Sequence, residues 1–391
     1  INVLMVYSNP ARWVTMRQNY TLYGWHLSYF TGKALCYLRY KQVAHTLKPV
    51  NLFTLTKTIK RKTGAAVMPV LKTDSGEWIQ DTSEIIDYIE SLHYENPVTP
   101  NTPVQEFASM LLEAWGDEWW VPIAMHTRWN YPENFELFEH DAGKALLPWA
   151  PYFLQKKVAQ RPAKMLRGML PYVGIIPEQY STMNEWTVHM LDALDQHFSK
   201  HLFLLGERPS LGDFGLVGTM YGHLGRDPWP KRELVEPRQH LNAWLERMKD
   251  PAPFAGNPLL PNDAIPDSLN PVFQSIFNEF IPMVEQVGQL ATQYATEYGL
   301  NKRLPRRIGE VTTTMGGKPF KRGALPYMIW MMQRALDCFA QMPSSDQTEV
   351  RHWLHRHNAE HILNMKLPRV ERFALTVAVT ELPKKHMEQA A

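Results

Sequence analysis

The sequence predicts an α+β protein: a small α/β domain near the N-terminus, then a long run of helices. Three observations predict it. Residues 21–92 alternate strand-like and helix-like patterns in the order β-α-β, hairpin, helix. From Gln105 onward the apolar spacing is mostly helical. Proline-rich breaks at 96–103 and 251–266 divide the chain into three stretches.

The elements follow in order. Thr21 to Trp25 reads as a short buried strand, and Thr31 to Val43 has helical spacing through Leu35, Leu38 and Val43. Pro49 to Thr54 is apolar and strand-like, while the basic run Lys57 to Lys62 reads as a solvated face. Val67 to Leu71 is a strand carrying Pro69, and the Ser75-Gly76 turn sends it back through Glu77 to Ile79. Asp81 and Thr82 cap a helix from Ser83 to Leu92, whose Ile85, Ile86 and Ile89 share one face. Helices are then predicted over Glu106–Trp120, Thr182–Leu202 and Ser210–Leu224. Past the second break, Val272 to Tyr298 is helical and Glu310 to Arg322 is a hairpin turning at Gly316-Gly317. Tyr327–Met342 and Thr348–Leu363 read as helices, and Phe373 to Thr380 as a strand or a short buried helix.

Composition excludes several classes. The 391 residues are 45% hydrophobic, ordinary for a chain with a real core. A net charge of +2 argues against a phosphate-binding surface, so no nucleic-acid partner is expected. No run is long and apolar enough for a membrane span. The two cysteines, Cys36 and Cys338, form no framework, which points to a reducing, cytoplasmic setting and leaves a single bridge between them open. The 13 Trp, 16 Tyr and 16 Phe suit a pocket for apolar small molecules as well as a core.

Four motifs carry chemistry or structure. In Leu22-Tyr23-Gly24-Trp25-His26-Leu27-Ser28-Tyr29-Phe30 a strand ends, a hydroxyl follows and a helix begins. A hydroxyl donor and the positive end of a helix both favour a thiolate, but on spacing alone the simpler reading of Ser28 is a helix cap. In Val67-Met68-Pro69-Val70-Leu71 a proline sits in a strand, where a cis peptide in a bend or an edge position would accommodate it. In Gln80-Asp81-Thr82-Ser83 a carboxylate and hydroxyls open a helix, which suits an amino-acid headgroup or simple capping. Ser210 and Asp213 have capping-box spacing and a structural role.

As an ordered set over about Thr21 to Lys249, these residues resemble the cytosolic glutathione transferase superfamily. The resemblance implies a thioredoxin-like glutathione-binding domain, an all-α C-terminal domain and here an additional, mostly helical extension. Ser28 falls where serine-type members, such as the zeta and theta classes, place the residue that activates glutathione. Met68 and Pro69 match the pair that binds the cysteinyl backbone, and Asp81-Thr82 matches the acidic-hydroxyl pair that binds the γ-glutamyl group. Tyr29 competes for the role of Ser28. Phe30 replaces the cysteine of some members, and the basic residue expected near Val67 is absent, leaving Lys48 and Lys62 as loose partners for the glycyl carboxylate. Trp119, His126 and Arg128 are the candidates for lining a second-substrate pocket, with helix packing as the competing explanation.

The domains expected are a leader over 1–20, the thioredoxin-like domain over 21–95, a linker over 96–104, the helical domain over 105–255 and the extension over 256–391. The extension could cover the site, extend a dimer interface or bind a partner, and its Gly316-Gly317 hairpin could reach the pocket. No metal is expected, because the histidines of 189–201 and 352–361 lack a ligand pattern. The expected activity is glutathione thiolate attack on a small electrophilic or apolar compound, by conjugation, isomerisation or ether cleavage, with glutathione as co-substrate and a homodimer as the assembly. The alternative is a non-catalytic binding or scaffold protein of the same fold.

Overall fold

The computed structural model describes residues 19–383. Most of the expected leader therefore lies outside the described residues. The first strand, β1 (Tyr20–Tyr23), leads into α1 (Tyr29–Tyr40), and β2 (His45–Lys48) returns parallel to β1. A π-helical stretch (Thr54–Ile59) and α2 (Lys60–Thr63) cross to the hairpin β3 (Val70–Lys72) and β4 (Trp78–Gln80), and α3 (Thr82–Leu92) closes the unit. The sheet order is β2-β1-β3-β4, with β3 antiparallel to both β1 and β4.

The second strand corrects the sequence reading. It is His45–Lys48, not Pro49–Thr54, because Tyr20 to Tyr23 pair in register with His45 to Lys48. Past Pro49 the chain turns helical. The Asn51 side chain accepts from the Thr54 amide at 2.8 Å, which caps the new helix and leaves Phe53 exposed.

The helical part runs α4 (Pro103–Glu118), α5 (Val121–Trp129), α6 (Glu133–Leu146), α7 (Tyr152–Gly168), α8 (Tyr180–Phe198), α9 (Leu211–Thr219), α10 (Pro228–Pro230) and α11 (Gln239–Lys249). Its axis is the crossing of α4 with α9. A Cβ on Gly116 would meet the Gly215 carbonyl carbon at 2.6 Å, so the two backbones touch there. Ser210 and Asp213 form the expected capping box at the start of α9.

The extension is α12 (Asn270–Ser275), a π-helical turn (Ile276–Phe280), α13 (Ile281–Tyr298), the hairpin β5 (Glu310–Met315) and β6 (Lys318–Gly323), α14 (Tyr327–Gln341), α15 (Ser344–Arg356), and the hairpin β7 (Arg369–Phe373) and β8 (Thr376–Glu381). The segment read as strand or helix at Phe373 to Thr380 thus turns inside a hairpin. Gly316 and Gly317 have φ of 59° and 75°, the left-handed pair that a two-residue hairpin loop needs. Both α14 and α15 pack on α4, where Phe107 meets Phe339 and Trp353 edge-on. One continuous apolar core runs from Leu22 through Trp115 to Val379.

Candidate functional site

The loop before α1 ends at Ser28, whose hydroxyl oxygen accepts from the Thr31 amide at 3.3 Å and caps the helix. Arg128 on α5 holds this loop in place. Its guanidinium donates to the Leu27 carbonyl at 2.9 Å and to the Gly222 carbonyl, and it is paired with Asp227 at 2.8 Å. Two residues past the cap, Phe30 faces a cavity.

That cavity measures about 300 Å³, at the small end of ligand pockets. Besides Phe30 on α1 and Met169, four parts of the chain build it. Val67, Met68 and Pro69 precede β3, and the Met68–Pro69 peptide is cis. Gln80, Asp81 and Thr82 contribute the start of α3. Asp117, Glu118 and Val121 close it from the end of α4 and the start of α5. Arg306, Leu325, Tyr327, Met331 and Leu375 cover it from the extension.

Asp81 is the most constrained of these. Its φ of 90° is unusual for a residue with a Cβ, a conformation that costs on the order of 1–3 kcal/mol. One carboxylate oxygen accepts from the Ser83 amide at 2.9 Å, and the other from the Tyr327 hydroxyl at 2.5 Å. Tyr327 is a residue of the extension, so the carboxylate at the head of α3 is set both by its own helix and by a residue 246 positions away. Thr82 beside it is buried in the first turn of the same helix.

Behind the cavity wall lies a buried charge triad. Lys33 on α1 donates to Glu113 at 2.7 Å and to Asp117 at 2.6 Å, all three on the α1–α4 contact. Burial works against the Lys33 ammonium, but the two carboxylates outweigh it and hold it charged. Burial pushes Asp117 up, with Glu113 adding to the rise, while Lys33 and Arg334 bring Glu113 below the usual range despite its burial.

The structure brings Met68, Pro69, Asp81 and Thr82 onto one cavity. Ser28 does not line it, and stands two residues before Phe30, which does. The other sequence candidates lie elsewhere. Tyr29 points into the core: its hydroxyl donates to the Gly116 carbonyl and accepts from Thr219 at 2.5 Å, which leaves it no approach to a ligand. Trp119 is fully buried among Trp186 and Phe320. His126 is buried and bonded to Asn184 at 2.9 Å and Asn130 at 2.6 Å. Arg128 is spent on the loop before Ser28. Helix packing, the competing explanation, accounts for these three. Lys48 and Lys62 are exposed and off the cavity, and Arg306 is the only cation among its described lining residues. The Gly316-Gly317 tip packs near Trp186 instead of reaching the cavity.

Sequence reasoning missed Glu118, Tyr327, Met331 and Arg306. Glu118 falls inside the predicted helix Glu106–Trp120, but nothing in helical spacing separates a cavity carboxyl from a surface one. The extension residues belong to no motif, and only tertiary packing brings them in. Cys36 and Cys338 are both free thiols. His197 is buried between Ser268 at 2.8 Å and the Phe203 carbonyl at 3.2 Å, and burial lowers its pKa to about 3. Among the described residues no helix is long and apolar enough to cross a membrane, and no His, Cys, Asp or Glu group is arranged to hold a metal.

A small mixed-sheet domain with a carboxylate at a helix start, joined to a helical domain across a shared cavity, defines a class of two-domain ligand-binding folds. Residues 22–97 match the glutathione S-transferase N-terminal domain, and residues 187–247 match the glutathione S-transferase C-terminal domain. The chain carries both domain matches in order, which is the arrangement of the glutathione transferase superfamily. No curated protein matches it. Among solved structures it is similar to Gtt2 from Saccharomyces cerevisiae, at 16% identity over 59% of this chain and 95% of that one, with a TM-score of 0.36. It is similar also to a glutathione S-transferase from Methylobacterium radiotolerans in complex with glutathione sulfonate (17%, 63% and 100%, 0.37). A third is the β-etherase LigF from a Sphingobium species (20%, 59% and 94%, 0.40). The two domain matches carry the assignment.

Proposed function

We propose that the cavity binds glutathione and that the chain is a glutathione-dependent, serine-type transferase acting on a small apolar electrophile. The observation that carries this reading is the convergence of Met68, Pro69, Asp81 and Thr82 on a cavity whose remaining walls are largely apolar. In this reading Asp81 receives the γ-glutamyl ammonium, and Thr82 with the free amides of the first turn of α3 receives its carboxylate. The backbone beside Pro69 pairs with the cysteinyl unit. Arg306 takes the place first considered for Lys48 and Lys62 as partner of the glycyl carboxylate. Ser28 accepts from the Thr31 amide, so its proton is available to a thiolate at the positive end of α1. The strained backbone of Asp81, held by Ser83 and Tyr327, supports a functional role for that carboxylate.

The bond from Tyr327 favours a second reading, a binding protein with little turnover, because it occupies the carboxylate a ligand ammonium would use. Loss of free thiol with a model electrophile separates the two: measurable turnover favours the enzyme, and affinity without turnover on a broad panel favours the binding protein. Calorimetry tests the site itself. Asp81→Ala should weaken glutathione binding tenfold or more, since a charge-assisted hydrogen bond is worth about 1.5–3 kcal/mol. Unchanged affinity would remove Asp81 from the site.

A further inference from the structure

We propose that Glu118 is the proton donor of the cavity, and that the second substrate is an electrophile whose breaking bond releases its electron pair to oxygen, an epoxide or an activated ether. This rests on the glutathione reading of the same cavity.

Glu118 is the last residue of α4 and lines the cavity beside Val121. Its carboxyl makes no hydrogen bond or ion pair with any described residue. Two buried groups beside it are also incompletely satisfied. Asp117 gives one oxygen to Lys33 at 2.6 Å, and its other oxygen has no partner. Arg322 on β6 is 1% exposed and donates to the Glu118 carbonyl at 3.3 Å, but its Nε and Nη2 have no partner. Leaving buried polar atoms unpaired is costly, so three of them gathered beside the Glu118 end of α4 call for a functional reason.

The charges facing Glu118 come from every side. Asp117 on its own helix and Asp81 at the head of α3 oppose its ionisation, and Arg322 on β6 and Lys33 on α1 favour it. The phenols of Tyr29 on α1 and Tyr327 on α14 also face it. Burial is the largest influence, and the carboxyl rises to about 8. At neutral pH it is therefore a neutral acid in a site of low polarity, the arrangement that general-acid chemistry needs. A neutral Glu118 also spares the bound thiolate a like charge.

The step balances within the cavity. The glutathione sulfur bonds to the electrophilic carbon, the carbon–oxygen bond breaks, and its electron pair stays on oxygen. The Glu118 proton passes to that oxygen and gives an alcohol. The carboxylate is re-protonated by the thiol of the next glutathione as that thiol becomes a thiolate. A free thiol has a pKa of about 8.5, close enough to Glu118 for the exchange to be nearly level. A halide leaves as a stable anion and gains nothing from the acid.

The test compares styrene oxide with chlorodinitrobenzene in the full-length protein. Glu118→Gln should lower kcat on the epoxide by about 10²–10⁴-fold more than it lowers kcat on the chloride. The wild type supplies a measurement that needs no variant: its epoxide rate should fall above about pH 8 while its chloride rate holds. Equal losses on both substrates, no loss on either, or an epoxide rate that persists at high pH would overturn the proposal. Glutathione binding without turnover of either electrophile overturns the proton-donor role and leaves the binding site standing. Absence of glutathione binding overturns both.

Discussion

Lys33 shows how much one side chain carries in this structure. Its ammonium neutralises two carboxylates, and none of the three side chains is more than slightly exposed. Lys33→Ala would strand both acids in the core, and breaking a buried pair from one side costs about 3–5 kcal/mol. Denaturant unfolding should show that loss at pH 8 and a smaller one at pH 5, where the abandoned carboxyls take up protons. An equal loss at both values would mean packing, not charge, is what Lys33 supplies. Glu118 gives the opposite dependence on a single proton. Its folded-state pKa of about 8 lies above the ordinary carboxylate value, so the folded state holds a proton that the unfolded state has released. The stability this confers is full below about pH 4 and is lost as pH rises through about 8. Glu118→Gln should match the wild type near pH 4 and exceed it at pH 9 by about 1 kcal/mol or more. Ser28→Ala should lower turnover roughly tenfold to a thousandfold, with little effect on glutathione affinity. It should also raise the pH at which the bound thiol ionises, whereas Tyr29→Phe should not, because that hydroxyl is tied between Gly116 and Thr219. The reverse pattern would place the thiol against Tyr29. At this scale Met68, Pro69, Asp81 and Thr82 were legible because their chemistry is local to a strand end or a helix start. Glu118 and Tyr327 were not, because their roles depend on neighbours more than 30 residues away in the chain.

Asp213 belongs to an element more than to a site. One of its oxygens accepts from the Ser210 amide and hydroxyl, both at 2.9 Å, and the other from the Leu204 amide and the Trp244 indole, both at 3.0 Å. It therefore ties the start of α9 to the preceding loop and to α11. A surface cap is worth about 0.5–2 kcal/mol, and Asp213→Ala should exceed about 2, since it also strands buried donors. Thermal unfolding checks this, and a melting point unchanged while turnover collapses would give the residue a chemical role instead. The cap was legible as four residues of sequence, but its reach to Leu204 and Trp244 was not. The misplaced second strand has the same origin. The apolar run after Pro49 looks like a strand on periodicity alone, and the Asn51 cap that makes it helical is a single side chain. The hairpin at Gly316-Gly317 was legible because two consecutive glycines suit its turn, while the direction of its tip depends on α8 and α13.

Across the whole molecule the extension is part of the core instead of an appendage. Its apolar residues join the same cluster as the sheet and the long helices, and Arg334 and Arg372 reach Asp87 and Glu84 on α3. Deleting residues 257–391 would uncover Phe107 on α4, now packed on Phe339 and Trp353, and Trp119, now packed on Phe320, and should give an insoluble protein. A soluble, active truncation would contradict this packing. The sequence offered cover over the site as one of three roles for this region, and the packing of Tyr327, Met331 and Leu375 on the cavity favours that one. The central claim is that glutathione occupies this cavity, and a crystal structure of the protein with glutathione tests it most directly. The account predicts the γ-glutamyl ammonium on Asp81, the cysteinyl backbone beside Met68 and Pro69, and the sulfur toward the start of α1 at Ser28. Glutathione bound elsewhere, or lying in the cavity with its sulfur turned away from Ser28, would contradict it.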